Sequence, residues 1–124
     1  MMVKIFLLMV LLHIIDDFVL QSACLGKLKQ KEFWEHYITE ENKLYEHDYL
    51  VALLIHGLSW SLMIHLPFIF MDCNEWVLLG LVVFQAIIHA RIDDVKANKK
   101  SINLVVDQSA HLLQIITSAL ILIC

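Results

Sequence analysis

Hydrophobic residues fall into four long runs, at 3–24, 49–71, 76–95 and 102–124, and charged residues cluster between them at 27–48, 72–75 and 91–100. Each run approaches the ~20 residues an α-helix needs to cross a bilayer. Backbone groups in lipid must be satisfied within their own segment, so four packed helices are the simplest assembly. The pattern predicts an all-α polytopic membrane protein, a four-transmembrane-helix bundle forming one domain over 1–124. The connection at 27–48 is rich in Lys and Glu but also carries Phe33, Trp34, Tyr37, Leu44 and Tyr45. Aromatic residues favour the membrane–water boundary, so an interfacial amphipathic segment is expected there; a solvated loop is the alternative. Residues 72–75 read as a tight polar turn and 96–101 as a short basic connection.

Composition agrees. A hydrophobic content of 60% and a mean hydropathy of +0.72 lie above the soluble range, and 124 residues make one domain by length. The net charge of −4 mixes both signs in the first connection, and no basic patch with interleaved aromatics points to nucleic acid. Cys24, Cys73 and Cys124 are far apart and odd in number, which supports neither a disulfide framework nor a thiolate metal site; they read as small buried apolar residues.

Lys4 followed by the apolar stretch 5–15 resembles the start of a signal peptide, and Gln21, Ser22, Ala23 and Cys24 approximate a lipoprotein cleavage box. Gln21 stands where such a box prefers an aliphatic residue, and His13, Asp16 and Asp17 interrupt the apolar region, so an uncleaved first helix is expected. Lys27, Lys29, Lys31 and Lys43 mark the first connection, and Arg91, Lys96, Lys99 and Lys100 the third; the second has neither Lys nor Arg. The positive-inside rule puts connections one and three in the cytoplasm and both termini on the other side of an inner membrane. Lys4 alone opposes this.

The chemistry lies inside the apolar runs. His13 and Asp17, His89 and Asp93, and Asp107 and His111 are each separated by four residues, which places each pair on one helix face. His56 is a lone histidine about seven residues into helix two. Asp17 lies about seven residues, ~11 Å, from the cytoplasmic end of helix one. Alternating helices bring all these groups to one depth in the cytoplasmic half. Ionisable groups within a membrane cost at least ~2.5 kcal/mol each and normally face the bundle interior in pairs.

A divalent ion would satisfy several at once. Imidazole and carboxylate suit zinc, manganese or iron, and carboxylate-rich bundle sites hold one or two ions. His13, Asp17, His56, His89, Asp93, Asp107 and His111 are the candidate ligands. A bound ion would lower the pKa of a coordinated water for hydrolysis, with Asp17, Asp93 or Asp107 as candidate catalytic base. Each pair taken alone is also an ordinary internal ion pair. Asp16 and Asp94, ~100° round the helix from their neighbours, are expected to support ligands or contact other helices. Gln21, Gln108 and Lys96 are candidate substrate contacts; the glutamines also suit interhelical hydrogen bonds, and Lys96 could snorkel to the surface. His36, His47 and His65 fall outside the cluster. Ser109 points elsewhere on its helix, which disfavours a serine hydrolase.

The set His13, Asp17, Phe18 and Gln21, then His56, then His89, Asp93 and Lys96, then Asp107, Gln108 and His111, resembles the small bacterial and phage membrane proteins grouped as domain-of-unknown-function family 3307. The resemblance covers almost the whole chain, except that the 27–48 segment is longer than the family usually shows, and it brings no established activity. More distantly, the His/Asp helices are similar to the membrane-bound metal-dependent hydrolases named for LexA regulation, which implies hydrolysis at a metal centre. The reading is a metal-dependent membrane hydrolase acting on a lipid or lipid-linked phosphate or ester near the cytoplasmic leaflet. Its rival is a non-enzymatic membrane protein whose cluster is a polar core or a proton or ion relay. A homo-oligomer, or a cytoplasmic partner bound through 27–48, is compatible with either.

Overall fold

Long apolar stretches interrupted only by Gly57, Pro67 and Gly80 favour helix, and helices are what form. A computed structural model describes residues 1–123, and Cys124 lies outside the described residues. In chain order the helices are α1 (Met2–Ile14), α2 (Ala23–Leu28), α3 (Lys31–Glu35), α4 (Asp48–Ile69), α5 (Glu75–Ala97) and α6 (Leu104–Ile123), with a π-helical turn, Ile15–Leu20, between α1 and α2. No strand occurs among the described residues.

Three of these helices, α4, α5 and α6, are long and apolar enough to cross a membrane. The first run differs from the expected continuous helix over 3–24. Helix α1 has 13 residues, ~20 Å of rise, and the π-turn extends it to Leu20. There the backbone becomes extended at Gln21 and Ser22, and Ser22 caps the next helix by accepting a hydrogen bond from Leu25 N at 3.1 Å. An apolar profile cannot register that break, because Ala23, Cys24 and Leu25 continue the hydrophobic run.

The 27–48 segment holds the end of α2, the short helix α3 and then turns, rather than one amphipathic helix. Its aromatics pack on one another, with Trp34 stacked on Tyr45 at 5.8 Å and edge-on to Phe33 at 5.3 Å. Asn98, just past α5, ties the segment down: its Nδ2 donates to Lys29 O at 3.1 Å and its Oδ1 accepts from Lys31 N at 2.7 Å.

The bundle is apolar outside and polar within. Leu54, Leu58, Leu62, Val83, Ile87 and Leu113 are exposed, while His56, His89, Asp107 and His111 are buried, the distribution expected when the solvent is lipid. An apolar plug of Met9, Trp60, Ile64, Phe68, Ile115 and Ala119 fills one end. Helices α4 and α5 meet closely where Gly57 lies against Ala86 and Ala90, small residues that let two backbones approach. The cysteines are not the buried residues expected: Cys24 is exposed and Cys73 half-buried, the first because it follows the break at Ser22.

Candidate metal centre

Six side chains from four elements converge next to the apolar plug, against its Trp60. The π-turn supplies Asp17, α4 supplies His56, α5 supplies His89 and Asp93, and α6 supplies Asp107 and His111. The four-residue spacing operates as geometry requires on α5, where His89 Nε2 and Asp93 Oδ1 are 3.8 Å apart, and on α6, where His111 Nε2 and Asp107 Oδ1 are 3.4 Å apart. Between elements, His56 Nε2 is 3.2 Å from Asp17 Oδ1, His89 Nε2 is 3.8 Å from the same oxygen, and His111 Nε2 is 3.6 Å from Asp93 Oδ1. Bonds of ~2.0–2.2 Å put two ligands of a tetrahedral zinc ion ~3.3 Å apart, a spacing these distances bracket. Asp17, His89 and His111 form one triad whose ligand atoms lie within 4.8 Å of one another; His56, His89 and Asp93 form another, and Asp93, Asp107 and His111 a third.

The partners of these groups are as informative as the groups. Each carboxylate gives one oxygen to an outside donor. Asp93 Oδ2 accepts from Lys29 Nζ at 2.6 Å, Asp107 Oδ2 accepts from Lys96 Nζ at 2.6 Å, and Asp17 Oδ2 accepts from Gln108 Nε2 at 3.3 Å. Oδ1 of each is left facing imidazole. By contrast, His56 Nε2, His89 Nε2, His111 Nε2 and Asp107 Oδ1 are buried without any hydrogen-bond partner among the described residues. Buried polar atoms left in this way cost ~1–3 kcal/mol each unless something completes them. Imidazole nitrogen and carboxylate oxygen are lone-pair donors of the kind a divalent transition-metal ion takes, so the residues present fit such an ion.

His111 is held in ligating form by what lies behind it, whereas His89 Nδ1 has no hydrogen-bond partner among the described residues. His111 Nδ1–H donates to Gln114 Oε1 at 3.2 Å, which leaves Nε2 with its lone pair. Gln114 Nε2 in turn donates to Gln85 Oε1 at 2.7 Å, and Gln85 Nε2 donates to Ser118 Oγ at 3.1 Å. His56 Nδ1 faces Asp16 Oδ2 at 3.8 Å, and Asp16 Oδ1 accepts from Ser59 Oγ at 2.7 Å. His89 is sandwiched between Trp60, at 4.3 Å and 19°, and His111, at 4.1 Å and 27°.

His13 stands beside the cluster instead of opening onto it. Its Nδ1 accepts from Trp60 Nε1 at 2.7 Å, and its Nε2 pairs with Gln108 Oε1 at 3.0 Å, so both ring nitrogens are engaged. Asp16 is buried and its neighbour Asp17 half-buried, both turned toward the bundle although ~100° separates adjacent residues of an α-helix. The π-turn, closed by a bond from Gln21 N back to Asp16 O at 3.0 Å, spans five residues and changes that angular relation. Of the candidate substrate contacts, Lys96 and Gln108 hold carboxylates as described, and Gln21 Oε1 accepts from Lys29 Nζ at 3.2 Å. His65 is buried on α4, apart from the cluster, where its Nδ1 donates to Ser61 O at 2.7 Å.

A family model described as a protein of unknown function, DUF3307, matches residues 5–124. The chain belongs to that family. No curated protein and no solved structure matches it. The matched region contains every side chain of the DUF3307 site.

Beside the site a cleft of about 610 Å³ opens to the outside. Asp17 and Asp93 form its inner wall, Gln21, Lys29, Lys96 and Gln108 its flanks, and Lys27 and Lys100 lie at its outer edge. The DUF3307 chain thus places a cluster of unpaired ligand atoms at the back of an accessible, basic cleft.

Proposed function

We propose that this DUF3307 protein is a membrane-embedded, metal-dependent hydrolase acting on a lipid or lipid-linked substrate. One observation carries the reading: three buried imidazole Nε2 atoms without partners converge on carboxylate oxygens whose opposite oxygens are already engaged. A purely structural polar core would pair such groups with one another, because each unpaired atom costs stability. Asp16, Asp17, Asp93 and Asp107 set four carboxyl groups against the two ammonium groups of Lys29 and Lys96, an acidic excess that suits a divalent ion.

His56, His89 and His111, with Oδ1 of Asp17, Asp93 and Asp107, would hold it; zinc, manganese and iron all accept that donor set. When bound, the ion supplies Lewis-acid activation of a phosphoryl or acyl oxygen and of water. The chain's own contribution is to hold the carboxylates by their outer oxygens through Lys29, Lys96 and Gln108, and to fix the His111 tautomer through Gln114. A fourth membrane crossing by α1 and its π-turn fits the bundle, and the Lys-rich connections favour placing the cleft on the cytoplasmic side of the inner membrane.

Elemental analysis of the full chain purified in detergent tests the centre, together with a chelator-sensitive assay of lipid hydrolysis. About one equivalent of zinc, manganese or iron is expected, lost in the Asp93→Ala, His111→Ala double variant, with hydrolysis lost alongside it. A folded, metal-free protein without hydrolytic activity would overturn the reading.

A further inference from the structure

The cleft carries more positive charge than the metal cluster uses. Four ammonium groups line it, from Lys27, Lys29, Lys96 and Lys100, against the two carboxylates of Asp17 and Asp93. Each ammonium has three N–H donors. Lys29 directs two of them to Asp93 and Gln21, and Lys96 directs one to Asp107. One donor of Lys29 and two of Lys96 therefore remain for the cleft, beside the carboxylates whose Oδ1 atoms face the imidazoles. Lys29 is 7% exposed, so an unspent donor there is a built feature and no accident of a mobile surface side chain.

Lys100 follows α5 in the left-handed conformation usual at a helix C-terminus, with φ 53° and Ser101 N donating back to Val95 O at 3.4 Å. It lines the cleft, and its ammonium donates to Glu32 Oε2 at 3.3 Å, which leaves two N–H donors. One wall belongs to Phe18, and Val19 and Leu20, which follow it, are exposed apolar residues of the same turn. A basic cleft beside exposed apolar side chains matches a molecule with an anionic head and apolar tails.

We infer that the cleft binds the phosphate of a phospholipid headgroup, with Lys29 and Lys96 as its inner donors, Lys27 and Lys100 as its rim, and the acyl chains along Phe18, Val19 and Leu20. This rests on the hydrolase reading only in making that phosphate ester the substrate; the binding site stands on the cleft itself. Free phosphate shares the anion chemistry and lacks the tails, so the two sources separate experimentally.

Native mass spectrometry of the full chain in detergent, titrated with phosphatidic acid, diacylglycerol and inorganic phosphate, tests the inference. Phosphatidic acid is expected to bind about tenfold more tightly than diacylglycerol, the scale of one charge-assisted hydrogen bond. The Lys27→Gln, Lys100→Gln double variant should lose most of that preference. Lys96→Gln should lose it too, and Lys43→Gln, which lies off the cleft, should keep it. If Lys96→Gln does not fold, the rim variant still decides, because neither rim lysine touches the cluster. Equal binding of phosphatidic acid and diacylglycerol, or full preference in the rim variant, overturns the inference. Inorganic phosphate binding as tightly as phosphatidic acid overturns the lipid as its source. Metal content measured on the same samples separates the two readings. A metal-free protein that still selects phosphatidic acid refutes the metal centre alone, and a metal-loaded protein indifferent to the phosphate refutes the headgroup site alone.

Discussion

Replacing Gln114 with leucine keeps a side chain of similar size on α6 but removes three hydrogen bonds: one from His111 Nδ1–H at 3.2 Å and two given to Gln85, at 2.7 Å to Oε1 and 3.1 Å to the backbone oxygen. The bond to His111 matters most for an ion, because it reserves the proton for Nδ1. Without an acceptor there, the imidazole is free to carry its proton on Nε2, the form that cannot ligate. One net hydrogen bond contributes ~1 kcal/mol, and removing the partner of a ligating histidine typically costs ~10–100-fold in metal affinity. Gln114→Leu should therefore weaken zinc binding about tenfold, ~1.4 kcal/mol, measured by competition with a chromogenic chelator in detergent. Ser118→Ala is the internal control. Among the described residues Ser118 makes one side-chain hydrogen bond, from Gln85 Nε2, which keeps a second acceptor in Gln114 O at 3.4 Å, so its loss should stay below about threefold. Zinc affinity unchanged by Gln114→Leu in a folded protein would refute the orienting role, as would a larger loss in Ser118→Ala.

Two further variants address stability. Lys29→Met leaves Asp93 without the ammonium that lies 2.6 Å from its Oδ2; breaking a buried pair costs ~3–5 kcal/mol. The metal-free variant should melt well below the wild type and recover part of the difference when zinc is added, and an unchanged thermal midpoint would count against the pairing. Gly57→Ala places a methyl against the Ala86 carbonyl oxygen and the Ala90 side chain, an overpacking that costs ~1–3 kcal/mol. Denaturation in detergent should show that loss, whereas Gly80→Ala, which meets nothing, should show little.

The pairing of His with Asp was legible because it depends only on helical periodicity: His89 with Asp93 and Asp107 with His111 lie where a 3.6-residue turn puts them. Their common depth followed from the alternation of helices, which is also a matter of counting. What escaped depends on long-range contacts or on local backbone exceptions. Lys29 sits among other lysines and reads as part of a solvated connection; long-range contacts with Asn98, at its backbone, and with Asp93, at its ammonium, hold it in the interior. Gln85 and Gln114 are isolated amides 29 residues apart, and no spacing rule joins them. Trp60 resembles any core aromatic until its indole N–H is seen on His13. Asp16 was expected to support a ligand or contact another helix, and it lies 3.8 Å from His56 Nδ1 and accepts from Ser59 on α4; the π-turn that carries it left no signal in the sequence. Ser22, a good N-cap, was the one local signal of the break after Leu20, but it was hidden within an apolar run.

The π-turn leaves α1 and its continuation out of phase. A helical wheel drawn for Met2–Ile14 does not predict the outlook of Ile15–Leu20, because the extra backbone spacing acts as a one-residue slip in the count. Deleting a single residue there would remove that slip and turn everything beyond it by about 100° relative to α1. Which side chains this helix presents to α4 and α6 is therefore set by a length difference of one residue, with no change in residue type.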